Sequence, residues 1–308
     1  MTADDRETLR EAFADMIDEG AVRFGVPLAP LTTFRIGGPV DCLIEPRTVD
    51  EVRRALAACR DCGVPVRVMG LGSDILVADA GLRCTIVRIA ENLSHIEIHG
   101  NVMQVEAGAS NAEVARRACE AGLAGYEFAC GIPGTVGGAA IMNAGAYGGE
   151  FKDVAVSVCC ITPAGEVVEV SAEEAAWSYR HSMMDAAGYV VVGATLHLTP
   201  DDSQVIQARM DDLTRRRTEK QPLDMPSAGS TFKRPEGYFV GKLVEEAGLR
   251  GYRVGGAQVS EKHTGFVVNA GEATAREVRQ LIADVQERVF AHAGVRLEPE
   301  VRMWGFDD

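Results

Sequence analysis

Cys130-Gly131-Ile132-Pro133-Gly134-Thr135-Val136-Gly137-Gly138-Ala139-Ala140-Ile141-Met142-Asn143-Ala144-Gly145-Ala146-Tyr147-Gly148-Gly149 holds seven glycines and no charged side chain. Glycine at this density lets backbone N–H groups approach a ligand in conformations that other residues avoid. Where such a loop opens a helix, its unspent amides and the helix dipole suit a phosphate or pyrophosphate. No Lys or Arg lies in the stretch, so an anion here falls to the backbone. The competing reading is a tight turn with close helix packing. The number of glycines favours a ligand, because glycine inside an element otherwise weakens it.

Upstream, Val66-Arg67-Val68-Met69-Gly70-Leu71-Gly72-Ser73-Asp74-Ile75-Leu76-Val77 reads as strand, glycine turn, strand. It is not the Rossmann fingerprint, since Ile75 stands where GxGxxG needs its third glycine. Together the two glycine clusters suit the clasping of one extended dinucleotide. Around them the chain alternates irregularly. Capping-box patterns at Thr48…Glu51, Ser110…Glu113, Ser171…Glu174 and Thr274…Glu277 predict helix starts. The last opens an amphipathic stripe of Val278, Leu281, Ile282, Val285 and Val289. Strands are expected at 40–44, 66–69, 84–89, 102–105, 154–161, 167–170, 189–198 and 266–268, and again over 295–303. This is an α+β pattern; a doubly wound sheet is not expected. The change from strand to charged helix near Pro200–Gln204 marks a domain boundary.

Bulk properties narrow the function classes. A chain of 308 residues, 46% hydrophobic and 25% charged, has room for two domains with separate cores. Its net charge of -14 argues against a nucleic-acid or anionic-membrane surface protein. No apolar run is long enough to span a bilayer, and the acidic, helix-patterned start lacks a signal peptide, so a cytoplasmic enzyme is expected. Eight cysteines and six histidines are scattered. Cys59 and Cys62 form a CxxC without a second pair, and adjacent Cys159 and Cys160 would point to opposite faces of a strand. Reduced thiols and no metal site are expected.

Charge concentrates in one place. From Arg215 to Arg234, Arg215, Arg216, Arg217, Lys220, Lys233 and Arg234 outweigh Glu219 and Asp224, a net +4 in an acidic chain. Cations around Ser227-Ala228-Gly229-Ser230-Thr231-Phe232-Lys233 suit an anionic small substrate, whereas Arg215–Arg217 fit a solvated helix face equally well. Tyr179-Arg180-His181-Ser182 falls after a predicted helix and before a strand. In Leu297-Glu298-Pro299-Glu300-Val301-Arg302 a strand would put Glu298, Glu300 and Arg302 on one face, and on spacing alone these are surface charges.

These segments, in this order, resemble the UDP-N-acetylenolpyruvoylglucosamine reductase family of bacterial cell-wall precursor synthesis. The resemblance runs from Thr33-Phe34-Arg35-Ile36-Gly37-Gly38 through the GxGS turn, IPGTVGG, MNAGAYGGE, YRHS, RTEKQP, AGSTFK, GGAQVSEKH and LEPEVR. The short connection after Tyr179 is similar to the subgroup without the extra tyrosine-bearing loop. The resemblance implies an FAD-binding domain of the vanillyl-alcohol-oxidase (PCMH) type plus a smaller α+β substrate domain. On that reading 1–20 is an N-terminal helix, 21–201 the FAD domain (lobes about 21–92 and 93–201), 202–294 the substrate domain and 295–308 a strand carrying Glu300.

It also implies non-covalent FAD, NADPH as reductant, and the enolpyruvyl ether of UDP-N-acetylglucosamine as acceptor, handled by a cytoplasmic monomer without nucleic-acid or membrane partners. By matching position, Arg180, Ser230 and Glu300 would be catalytic. Gly70, Leu71, Gly72, Ser73, Asp74, Gly131, Ile132, Pro133, Gly134, Thr135, Gly137, Gly138, Asn143, Gly145 and Arg217 would bind the flavin nucleotide. Tyr179, Lys220, Lys233, Lys262 and His263 would bind substrate. Asp74 and Arg234 stand where the family more often has Asn, which alters the expected phosphate contacts. With one dinucleotide apparatus and no separate nicotinamide fingerprint, NADPH and substrate are expected to use the flavin in turn. Two other classes remain open from the residues: an FAD-dependent alcohol or sugar oxidase, and a non-enzymatic nucleotide-binding module.

Overall fold

The computed structural model describes residues 2–306, with the side chains at positions 3 and 4 outside that description. The chain gathers into two compact units. The first takes in the chain up to Phe24, Cys42–Leu71 and Cys84–Arg217; the second takes in Gly25–Asp41, Gly72–Arg83 and the chain from Thr218 on. The division at 217/218 lies one helix beyond the boundary expected near 201, because Ser203–Lys220 is a single helix that stays with the first unit through Arg217.

The first unit contains a five-stranded antiparallel sheet in the order Val167–Ser171, Ala155–Ile161, Val190–His197, Val102–Glu106, Ile96–His99. The two-residue period sends Cys160 into the core while Cys159 stays half-buried. Strand Ile96–His99 was missed in the sequence despite the alternation of Ile96 and Ile98 with His95, Glu97 and His99. Helix Val49–Asp61 starts where Thr48 Oγ1 accepts the Glu51 N–H at 3.1 Å, and it buries Val52, Ala55 and Cys59. Helix Asn111–Glu120 starts likewise at Ser110 and buries Val114, Ala115 and Ala118. Inside this core the Tyr126 hydroxyl donates to Asn111 Oδ1 at 2.9 Å, so both buried polar groups are satisfied. Helices Ala3–Ala12 and Ala14–Asp18 add Leu9, Phe13 and Met16 to it. Strand Val66–Met69 runs parallel to Leu82–Arg88 and so aims the glycine turn.

The second unit has an antiparallel sheet in the order Ser227–Ser230, Phe266–Asn269, Ala257–Val259, Arg253–Val254. Helix Ala275–Ala293 buries the predicted stripe of Val278, Leu281, Ile282, Val285 and Val289 in this unit's core. Its first turn is capped twice: Thr274 and Glu277 form the reciprocal box, and Asp79 accepts from the N–H groups of Ala275 (2.8 Å) and Arg276 (3.1 Å). Strand Arg302–Trp304 pairs in parallel with Ile75–Val77.

Three local expectations differ. Ser171 and Glu174 make their reciprocal bonds (2.9 and 3.3 Å), yet they close a turn instead of starting a helix. Tyr179–Ser182 therefore follows a turn and precedes the short helix Met183–Ala187. The 295–303 segment is strand only from Arg302, so Glu298, Glu300 and Arg302 do not share a strand face. All eight cysteines are free thiols. Among the described residues no cluster of His, Cys, Asp and Glu could hold a metal, and no helix is long and apolar enough to cross a membrane.

Candidate functional site

In the first unit the glycine turn meets the start of helix Val136–Met142. Thr135 caps that helix, its Oγ1 accepting the Gly138 N–H at 3.3 Å. A Cβ on Gly70 would stand 2.6 Å from Thr135 Oγ1, so only glycine permits this approach. Several amides of the loop are spent internally: Ile132 on Ala129 O (3.0 Å), Val136 on Ala109 O (2.8 Å) and Gly137 on Ala107 O (2.8 Å). The amides of Gly131, Gly134 and Thr135 have no hydrogen-bond acceptor among the described residues. The loop lacks a cation of its own, but the fold supplies one. A Cβ on Gly131 would meet Arg217 Cδ at 2.8 Å. Arg217 Nε is withdrawn from solvent with no hydrogen-bond partner, and burial pushes the guanidinium pKa down, against weaker opposing effects of Tyr147 and Cys130. Its neighbours Arg215 and Arg216 are exposed and pair with Asp212 at 2.7 Å. Unspent amides, a close-approach glycine and an orphaned buried Nε together fit an anionic dinucleotide such as FAD.

Asn143 ends helix Val136–Met142 in the left-handed conformation (φ 43°). Its Nδ2 donates to Glu150 Oε2 (2.9 Å) and to Ser178 O (3.2 Å), while Oδ1 accepts the Lys152 N–H (3.0 Å). Asn143 thus ties the loop to the turn that carries Arg180. Ser178 and His181 exchange backbone bonds of 3.1 and 3.2 Å, leaving Tyr179 and Arg180 at the tip. Arg180 has φ 55°, a conformation costing a non-glycine residue about 1–2 kcal/mol. The turn is fixed from both sides, by Trp177 Nε1 donating to Ala140 O (2.7 Å) and Ser182 Oγ donating to Ile141 O (2.8 Å). The surrounding bonds thus hold Arg180 in a conformation that a non-glycine residue seldom takes. Its guanidinium lies 5.0 Å from the centroid of the half-exposed Tyr179 ring. Lys152 first, then Asn143 and Arg180, hold the nearby Glu150 carboxyl below its usual range against the opposing effect of burial.

In the second unit Ser230 is exposed at the end of its strand, opposite Phe266. The next residue, Thr231, is buried and does the anchoring. Its N–H donates to Gly265 O (2.9 Å), its Oγ1 accepts the Val267 N–H (2.8 Å), and its carbonyl accepts the Glu300 N–H (2.9 Å). Glu300 is therefore held one residue from Ser230. The pairing continues through Phe232 with Pro299 and the Lys233 N–H with Glu298 O (2.8 Å), and Lys233 Nζ lies 2.7 Å from Glu298 Oε1. Lys262 Nζ donates to Thr218 O at 2.6 Å. The half-buried His263 ring accepts the Gly265 N–H at Nδ1 (3.1 Å). Lys220 is exposed at the end of its helix. Gly72 O accepts the Thr33 N–H (3.1 Å) and Asp74 O the Arg302 N–H (3.0 Å), while Ser73 lies between them on the turn. Gly145 and Glu150 pair across a short hairpin.

Trp177 lies outside the motifs quoted above, and Ser182, Thr231 and Ser260 lie within them without a role of their own. Ser182 had a signal, three residues before Asp185 as an N-cap. Thr231 had none, since its partners lie dozens of residues away.

Comparison with known proteins gives a consistent result. The family model for the UDP-N-acetylenolpyruvoylglucosamine reductase C-terminal domain matches residues 221–304, and that for an FAD binding domain matches 40–171. The reductase of Agathobacter rectalis is 49% identical over 96% of this chain and 99% of its own length; that of Clostridium beijerinckii is 45% identical over 97% and 98%. The crystal structure of the Thermus caldophilus reductase has a TM-score of 0.80 at 35% identity, covering 91% of this chain and 97% of that one. The α+β architecture, the FAD-binding domain and near full-length identity agree: this chain belongs to the UDP-N-acetylenolpyruvoylglucosamine reductase family and is an FAD oxidoreductase.

Proposed function

We propose that the protein reduces the enolpyruvyl group of UDP-N-acetylglucosamine-enolpyruvate to the lactyl ether, UDP-N-acetylmuramate, with NADPH as reductant. The observation that carries the reading is the joining of an orphaned arginine and unspent glycine-loop amides with full-length similarity to reductases of that name. FAD, when bound, supplies the two-electron relay between NADPH and the enolpyruvyl carbon. Gly131, Gly134, Thr135 and Arg217 would hold its anionic groups, with Gly70 allowing the close approach. Gly72, Ser73 and Asp74 would complete the clasp.

The remaining chemistry belongs to the chain. A hydride equivalent added to the terminal carbon leaves enolate character on its neighbour, conjugated to the carboxylate. Arg180, fixed in orientation by its turn, stabilises that charge. Ser230 donates the proton to the neighbouring carbon and is reprotonated from solvent; a hydroxyl suffices because the enolate is a strong base. Glu300, held at Thr231, orients this donor, and Lys233 eases the transient alkoxide. Tyr179, Lys220 and Lys262 would contact the UDP-sugar. The protein acts in the cytoplasm as a monomer, without nucleic-acid partners.

Sharing one flavin, NADPH and the UDP-sugar would react in turn. Initial-rate plots against either substrate should be parallel, with consumption of NADPH dependent on the enolpyruvyl sugar; intersecting lines without substrate inhibition contradict alternation. Heat-denatured protein should release all its yellow colour, since colour retained by the chain would show covalent flavin, as expected of an oxidase.

A further inference from the structure

Gly265 joins two parts of the second unit. Its N–H donates to His263 Nδ1 at 3.1 Å, and its carbonyl accepts the Thr231 N–H at 2.9 Å. The Thr231 carbonyl in turn accepts the Glu300 N–H at 2.9 Å, and Thr231 follows Ser230 directly. We infer that His263 is a positioning residue: as a neutral ring accepting at Nδ1, it fixes the Gly265–Thr231–Glu300 chain that sets Ser230 and Glu300 in place. This inference rests on the roles proposed above for those two residues.

An Nδ1 that accepts a backbone N–H must keep its lone pair, so the ring proton sits on Nε2. The loop around the ring is built to hold that state. Ser260 Oγ, itself buried, accepts the N–H groups of Lys262 (3.1 Å) and His263 (3.2 Å), and His263 O accepts the Phe266 N–H at 3.0 Å. The ring packs edge-on against Phe266, 5.0 Å between centroids, and Phe266 is the cross-strand partner of Ser230.

Protonation would turn both ring nitrogens into donors and set one against the Gly265 N–H. Burial opposes it first, holding the pKa below the ordinary 6.5; the loop's own backbone bond works the other way, and the Arg250 charge adds to the lowering. Arg250 and the other charges on the neighbouring elements have partners of their own. Arg250 binds Glu245 (2.7 Å) and the Glu261 carbonyl, Lys262 binds Thr218 O, and Lys242 faces Glu246 (3.7 Å) on helix Val240–Glu246. Strands Ser227–Ser230 and Phe266–Asn269 carry no charged residue.

The two half-reactions of the holoenzyme separate the possibilities. In His263→Ala, anaerobic flavin reoxidation by the enolpyruvyl UDP-sugar should slow at least ~10-fold in kcat with KM little changed, with flavin reduction by NADPH followed alongside. His263→Asn places an amide oxygen near Nδ1, accepts the same N–H and cannot be protonated at that pH. It should restore the rate and abolish a fall in reoxidation below the ordinary histidine range. Reoxidation within twofold in His263→Ala, a raised KM alone, or an acid limb surviving in His263→Asn would each overturn the inference. If the unaltered protein's reduced flavin is not reoxidised by the UDP-sugar at all, the proposed function itself fails.

Discussion

Arg217, Arg180 and Ser230 each make a distinct prediction. Arg217 places a desolvated guanidinium with an orphaned Nε beside Gly131. Hydrogen bonds to charged groups contribute about 1.5–3 kcal/mol, so Arg217→Gln should weaken FAD binding by roughly 10- to 100-fold. Fluorescence titration of apoprotein with FAD measures this; unchanged affinity would remove Arg217 from the cofactor site. Arg180→Lys keeps the charge but loses the planar fork, and should lower the rate of flavin reoxidation by about 10²-fold with NADPH-driven reduction intact. For Ser230→Ala the loss in the same half-reaction should be about 10²–10⁴-fold. Equal slowing of both half-reactions would mean that Ser230 supports the fold and not proton transfer. Of these residues, Ser230 was marked in the sequence by its setting among cations. Charge patterning alone did not separate Arg217 from Arg215 and Arg216, which only the family resemblance did, because packing decides which guanidinium turns inward and which two meet Asp212.

Local chemistry made most elements readable. Thr48, Ser110 and Thr274 start helices as their spacing to a glutamate predicts. At Ser171 the same reciprocal bonds end in a turn, since Ala176 takes φ 46° and the bonds from Trp177 and Ser182 to Ala140 O and Ile141 O lead the chain away. That competition is between distant residues and leaves no trace in a local pattern. The same holds for 295–301, whose partners at Thr231 and Lys233 engage it without a regular ladder. The glycine clasp gives the sharpest prediction at this scale. Gly70→Ala forces a methyl against Thr135 Oγ1 and unseats the helix cap, costing ~1 kcal/mol in the cap alone. The purified variant should hold markedly less FAD than the parent; full occupancy would show that the close approach is incidental. At the other end of the unit, the hydrogen bond from Arg54 holds Asp15 at about 2 in the folded chain against 3.8 otherwise. This support is fully present above the higher value and is lost as pH falls toward the lower. Asp15→Asn should therefore lower the melting temperature at neutral pH, with a difference that shrinks as pH falls from 3.8 and vanishes only below about 2.

Across the whole chain, the acidic balance, scattered cysteines and single basic cluster pointed to an enzyme acting on a small anion, and the family relationship agrees. What composition could not give is which unit carries which of these residues. The first unit carries Gly131, Arg217 and Arg180, and the second carries Ser230, Lys233 and Glu300. Each group is held by contacts within its own unit. The most direct test of the account is an anaerobic titration of the purified protein followed in the visible spectrum. The protein should carry FAD, bleach on addition of one equivalent of NADPH, and regain its colour when the enolpyruvyl UDP-sugar is added without oxygen, yielding the lactyl ether. A preparation that takes up no FAD, or a bleached flavin that only oxygen restores, would contradict it.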